Sequence, residues 1–489
     1  MSKTKAEKDI EDVDFIINEI VRYSSMEVRD LMAYLREHKN DYWYSVPHPS
    51  GGGGHLTMGE AAGRRFYELA ARHLSTRPDL NNNFDIDLFI NAVKKEFVWM
   101  FLKKGEKELS QRTLDKMLAA AVKRAKKEHK ALTHYIPCIV VSSSEPEAFK
   151  IGPVIFVRME KFLQEHKAAF EAERERIRED HIRRCQEAIA SGRPAEEIAT
   201  PDISEGIANR LVGDTIAYCE KFKWMAMVSI PDCDVTLSRE RAERAIEAAL
   251  DILKLFFGRS HGENLRQGHS IGAPPNTANL TRESDGKFDF SLSWSSQDTP
   301  TGKEWINVLI KPDDSYLRAA ASALDSCVDP QYSSHLKERF LDAMAWYGQA
   351  ISEQQTSVQI VKYVAALERL TVTKKLEEGL TDTVTRRTAL LSYDGTKEGY
   401  ERALKDAEKA YDYRSGLMHG SRSPFDKDLK FVAPLAMEIT QRALFNSLRI
   451  FTELDHEVGK AKAKDLEAKY LKLESQLPQG STEKPASAD

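Results

Sequence analysis

The chain has 489 residues, of which 41% are hydrophobic and 30% charged, and its net charge is −5. That balance fits a folded globular protein of about two or three domains and excludes a wholly disordered chain. It provides no global attraction to nucleic acid, so any RNA site has to be a local basic patch.

Five scattered cysteines, Cys138, Cys185, Cys219, Cys233 and Cys327, form no CxxC pair. This argues against a disulfide framework and a structural zinc site. The opening MSKTKAEKDIEDVD is polar and acidic, unlike a signal peptide. No apolar run approaches the ~20 residues of a membrane span. The expectation is a cytoplasmic protein with no membrane partner.

In chain order, residues 1–15 are charged and expected to fray, and helical periodicity runs from 15 to 40. DYWYSVPHPSGGGGH follows. A phosphate-binding loop needs G-K-[S/T] after its glycines, whereas His55 and Leu56 stand there, so the stretch reads as a flexible loop. Two or three helices fill 58–131 and end in KRAKKEHK.

YIPCIVVS and GPVIFV, within 135–157, read as two buried strands. A polar helix with a thin apolar stripe, solvated or bridging domains, spans Glu160 to Ala190. WMAMVSI (224–230) reads as a third strand, and Ser238 as the cap of a helix running through AIEAALDILKLFFG. A Gly/Pro/Asn-rich connection over 258–286 holds His261 and His269, which read as exposed loop histidines rather than a metal pair.

KFDFSLSWSS puts Phe288, Phe290, Leu292 and Trp294 on one face of an antiparallel strand, and EWINVLI (304–310) is its expected partner. This region lacks a nucleophile elbow, a P-loop, a dinucleotide fingerprint and metal-spaced ligands. From 315 to 455 the periodicity is helical over 331–352, 355–371, 380–393, 397–416 and 430–455, with short polar breaks suited to antiparallel neighbours.

The expected fold is α+β and multidomain. A helical region (1–134) and a mixed α/β domain (135–312) precede an all-α bundle (315–455), then a helical extension and a tail disordered by composition (456–489).

The bundle ends its fourth helix in YDYRSGLMHGS (411–421), where Arg414 stands five residues before His419. The pattern R-x-x-x-x-H occurs twice more, at Arg124–His129 and Arg176–His181, both in charged helical stretches that read as solvated surface. The neighbours of the third copy set it apart. They are Trp346-Tyr347-Gly348, Ala366-Leu367-Glu368 and Arg387-Thr388-Ala389-Leu390-Leu391, in order before Tyr411 to Gly420.

Together these segments, over about 315–455, resemble the HEPN superfamily and its Apea-like branch. The resemblance implies a HEPN-type helical bundle that pairs as a homodimer. It implies a metal-independent endoribonuclease with Arg414 and His419 as catalytic residues, needing no cofactor and acting as a toxin or antiviral defence effector. Residues 1–312 would then bind a trigger or inhibitor, or position the substrate. In the subset silenced by tyrosine modification a tyrosine stands two residues after the histidine; Ser421 is there instead.

The residue types suit the chemistry. Histidine moves protons near neutral pH, and the arginine fork binds a phosphate with two parallel hydrogen bonds. Cleavage through the 2′-hydroxyl leaves a 2′,3′-cyclic phosphate and a 5′-hydroxyl. Five residues on an ideal helix turn through about 500°, leaving two side chains about 140° apart. The expectation is that Gly416 relaxes the helix so that Arg414 and His419 aim into one groove, and that small residues there admit a phosphate or a second subunit.

Ser415, Glu368, Arg387 and Tyr411 are supporting candidates, for orienting the site, pairing with Arg414, binding the RNA backbone and stacking a base. Lys374, Lys375, Arg386 and Arg422 complete a candidate basic patch. The plainer reading of this stretch is a helix end, with Gly420 as an ordinary capping residue. The alternative function is a non-catalytic HEPN module for dimerisation or nucleotide binding.

Overall fold

The computed structural model describes residues 3–37, 44–51, 54–77, 80, 82–141, 146–190, 201–268, 276–282, 288–294, 315–329, 332, 334–374 and 379–477. The protein is α+β, a mixed α/β part followed by a helical bundle. It divides into two compact units. The first comprises Met1–Leu132, Ser229–Ala242 and Asp329–Gln331; the second comprises Thr133–Val228, Glu243–Val328 and Tyr332–Asp489.

In the first unit, α1 (Lys5–Ser24) begins ten residues before the expected start. The Thr4 hydroxyl accepts from the Glu7 amide at 3.3 Å and the Glu7 carboxylate accepts from the Thr4 amide at 2.7 Å, a capping box. The charged segment does not fray because its acids have partners. Asp9 and Asp12 are buried. Arg72 of α3 (Glu60–Ser75) bonds Asp9 at 2.8 Å and also Asp12, and Arg65 bonds Asp12 at 2.5 Å.

After α2 (Val28–Glu37), strands β1 (Tyr44–Pro47) and β2 (His55–Met58) pair antiparallel across the glycine run, where a loop alone was expected. Helices α4 (Ile86–Phe97) and α5 (Gln111–Lys126) complete the unit, α4 continuing into a π-helical turn, Val98–Lys103. Ile16, Phe66, Leu69, Phe89, Phe97 and Met117 fill its core.

The second unit carries a five-stranded sheet in the order β4–β5–β6–β3–β7. Its strands are β3 (Lys130–Ile139), β4 (Ala148–Ile151), β5 (Val154–Arg158), β6 (Trp224–Cys233) and β7 (Arg266–Gln267). The expected strands are present, and β4 is an addition that forms a hairpin with β5 across Gly152, which has φ +57°. The long helix α6 (Met159–Ala190) lies as expected and packs Phe162, Leu163 and Phe170 near the sheet. Next come α7 (Pro201–Ala208) and α8 (Asp214–Cys219).

Helix α9 (Val235–Phe257) starts three residues before Ser238. Asp234, not Ser238, accepts from the Leu237 amide at 2.8 Å, while Ser238 is buried inside the helix. The connection after it holds α10 (Arg259–Gly262), on which His261 lies, and β8 (Asn276–Arg282). Strand β9 (Phe288–Trp294) pairs antiparallel with β8. Residues 304–310, His269 and the tail from 478 lie outside the described residues.

The bundle begins with α11 (Ser315–Ala323) and α12 (Asp325–Val328). Its main helices are α13 (His335–Ile351), α14 (Thr356–Thr371), α15 (Leu380–Ser392), α16 (Lys397–Met418) and α17 (Leu429–Val458). Helices α13 and α14 pack together, as do α15 and α16, and α17 runs along all four. Tyr347, Phe340, Tyr363, Ile360, Leu391 and Leu444 are sealed between them.

Gly348 is there for a close approach. A Cβ at that position would lie 1.8 Å from Oδ1 of Asp251, a buried carboxylate that binds Lys254 at 2.9 Å. Finally α18 (Ala463–Ser475) returns onto the bundle and buries Leu466 and Tyr470.

Candidate active site at the end of a bundle helix

Helix α16 is started by Thr396, whose hydroxyl accepts from the Gly399 amide at 3.0 Å. It runs unbroken through Gly416 and ends at Met418. His419 is the C-cap: its amide donates to the Ser415 carbonyl at 2.9 Å, and Gly420 follows with φ +74°. This is a left-handed glycine termination.

The expectation that Gly416 loosens the helix is therefore corrected. Its missing side chain makes room for Arg422, whose Cγ would lie 2.6 Å from a Cβ at 416. The Gly416 carbonyl accepts from the Arg422 amide at 3.0 Å. The Arg422 guanidinium lies 3.8 Å over the Tyr413 ring and bonds Asp412 at 2.5 Å, and the Tyr413 hydroxyl donates to Asp428 at 3.1 Å. These contacts fold the turn after His419 against the helix. They also occupy the space that a phosphate or second subunit was expected to use.

Arg414 sits one turn before the helix end, its side chain 23% exposed. Its Nη2 donates to Glu368 of α14 at 3.2 Å, and its guanidinium lies 5.6 Å from the Tyr411 ring. Among the described residues its Nε has no hydrogen-bond partner. Glu368 was a pairing candidate, and the fold places it on Arg414.

Tyr411 is buried, so it packs in the bundle rather than offering a face to a base. Its hydroxyl bonds the side chains of Thr381 and Glu368, and burial together with the Glu368 charge pushes its ionisation up. Ser415 is half-buried and His419 is exposed. An unbroken helix between Arg414 and His419 turns their side chains to different sides.

Arg387 leaves the site altogether. Its side chain is 6% exposed. Nη1 donates to Glu467 and to the Thr371 carbonyl, both at 2.9 Å, and Nη2 donates to the other Glu467 oxygen at 3.0 Å. Nε reaches Glu474 at 3.4 Å. With all three nitrogens engaged and the side chain sealed inside the protein, it is not presented to RNA.

The described remainder of the patch is also paired. Lys374 lies 3.4 Å from Glu467 and Arg386 lies 3.3 Å from Asp382, while Lys375 is outside the described residues. Thr381 and Asp428 were not anticipated, since their roles depend on a helix and a turn distant in sequence.

The other two R-x-x-x-x-H copies differ from the third. Arg124 bonds Glu96 at 2.5 Å, and the His129 ring packs 4.6 Å from that of Phe84, so this histidine is half-buried rather than a solvated residue. Burial pushes its protonation down. Arg176 is exposed and bonds Glu173 one turn away, and His181 lies 3.8 Å from Cys185 Sγ. Among the described residues no three metal-ligating side chains converge, and no helix is long and apolar enough to cross a membrane. Comparisons of the chain with protein-family models, with characterised proteins and with solved structures find no match.

Proposed function

We propose that the bundle is an endoribonuclease of the HEPN type, cutting RNA without a metal to 2′,3′-cyclic phosphate and 5′-hydroxyl ends. The observation that carries this reading is the pairing at the end of α16: a guanidinium oriented by Glu368 and, one turn on, an exposed imidazole at the helix cap.

Arg414 binds the scissile phosphate and stabilises the charge that builds on it. A fixed donor of this kind contributes about 3 kcal/mol to catalysis. His419 moves the proton of the 2′-hydroxyl or of the leaving 5′-oxygen. Glu368 holds the guanidinium in place but also competes for it, so the phosphate displaces part of that ion pair.

Because one straight helix turns the two side chains apart, the complete site takes two copies of the chain, each contributing one Arg414 and one His419. The protein then acts as a homodimer, and RNA is its substrate. A toxin or defence role follows if such cutting is unrestrained, with residues 1–312 binding the trigger or inhibitor; the cytoplasm is the compartment where that RNA is met.

The test is incubation of labelled RNA with the purified chain in EDTA. Cleavage with cyclic-phosphate ends is expected for the native chain, and none for folded Arg414→Ala and His419→Ala variants. Cleavage that EDTA stops, or that both variants retain, sinks the reading.

One observation favours a second reading, a non-catalytic bundle. Within a single copy the helix remains straight and Arg422 fills the space over Gly416. That reading expects a chain that self-associates and leaves RNA intact.

A further inference from the structure

The first unit encloses a cavity of about 730 Å3, lined by the β1–β2 hairpin, α4, the end of α5 and residues 234–236. This lies within the range of about 300–1,000 Å3 typical of small-molecule sites. Lys94 and Asn91 also line a neighbouring cavity of about 530 Å3, between α3 and α4.

Lys94 is the unusual residue. It is half-buried, and its ammonium lies 5.9 Å from the ring centres of both Tyr44 and Phe66. Among the described residues it makes no hydrogen bond or ion pair. Burial pushes its pKa down, and the charge of Asp87 opposes this only in part.

Asp87 and Glu60 line the smaller cavity, whereas the wall of the larger one is mostly basic. Lys95 and Lys130 line the larger cavity as well. Of the two acids on that wall, Asp234 is committed to the backbone: it accepts from the Asp85 amide at 2.5 Å and from the Leu237 amide at 2.8 Å. Only Glu128 remains, and Arg124 on the same wall is matched by Glu96. The cavity thus carries a net excess of positive charge.

It also presents apolar surface to solvent. Leu88 and Val235 line it and are 40% and 46% exposed. Inorganic phosphate alone would satisfy the lysines and leave this surface wet.

We propose that this cavity binds an organic phosphate of the nucleotide class, with its phosphates on Lys94, Lys95 and Lys130 and its base over Leu88 and Val235. The site stands apart from the bundle and does not depend on the nuclease reading.

The test measures binding to the full chain by calorimetry and thermal shift, with ATP, GTP, AMP, inorganic phosphate and adenosine as probes. At least one nucleotide is expected to bind and raise the melting temperature, at least tenfold more tightly than phosphate or adenosine. Lys94→Met, which keeps the chain's length and bulk, weakens that binding at least tenfold without lowering the melting temperature of the free protein. Lys95→Glu, an exposed change, weakens it as well. His419→Ala binds as the native chain does, which separates this site from the bundle.

No binding by any nucleotide overturns the proposal. So do phosphate binding as tightly as nucleotides, native affinity in both lysine variants, or loss of binding in His419→Ala.

Discussion

Two arginines of one helical bundle, 27 residues apart, meet carboxylates in contrasting ways. Arg387 is sealed, its fork matched to both oxygens of Glu467 and its Nε turned to Glu474. Arg414 is partly open, bound to Glu368 and lying near the Tyr411 ring, with its buried Nε unpartnered among the described residues. Sequence pattern marks both as candidates for binding RNA. Burial and pairing separate them: a sealed guanidinium bound through all three nitrogens holds structure, and one that is partly exposed and pairs with a single carboxylate can exchange that partner for a ligand.

Removal of Arg387 separates the two arginines most strongly. Arg387→Ala leaves Glu467 and the Thr371 carbonyl without their buried donor, and a loss of about 3–5 kcal/mol in chemical unfolding is expected. A loss under about 1 kcal/mol would show that the sealed pair is not structural.

Acid provides the next test. The Arg387 hydrogen bonds hold the Glu467 carboxyl down to about 2, against an ordinary value of 4.5. A depressed folded-state pKa contributes stability that is fully present above pH 4.5 and is lost as pH falls toward about 2. Glu467→Gln is expected to flatten the stability curve across that window. An unchanged curve would assign the acid sensitivity to other groups.

Arg414→Ala should cost little stability, about 1 kcal/mol or less, because its pair is partly solvated. If the proposed function holds, it lowers RNA cleavage by about 100-fold or more. The smallest structural effect belongs to His419→Ala. This exposed cap residue is expected to stay within about 0.5 kcal/mol of the native chain, with cleavage lost. A melting temperature that falls as far as that of Arg387→Ala would remove the distinction between the two regions.

The helices were legible wherever apolar periodicity was strong. The bundle helices agree with their expected ranges to within a few residues at most ends, and α6 with its range. The N-terminal helix was misjudged because its acids are read as solvent-facing from sequence, whereas Arg65 and Arg72 arrive from another helix to bury them. Strand β9 was recognised from its alternation, but β8 beside it was not anticipated, since a strand's hydrogen bonds carry no mark of the neighbour that will accept them. At the candidate site, Arg414, Glu368 and His419 could be named from motif order, while Thr381, Asp428 and the seat of Arg422 could not.

The sequence by itself marked the capping glycine, Gly420, which takes the left-handed turn that ends α16; Thr4, Asp85 and Thr396 cap by the same local chemistry, though the start at Thr4 was not read and Asp234 caps where Ser238 was expected. Such preferences act over one or two turns of chain, so they survive without the rest of the molecule. Which charges are buried and which remain open was settled only when distant segments met. Arg387 depends on a helix 80 residues away, and Gly416 is explained by a side chain that returns across a turn. Desolvation and close packing are properties of the assembled fold, and no window of sequence contains them.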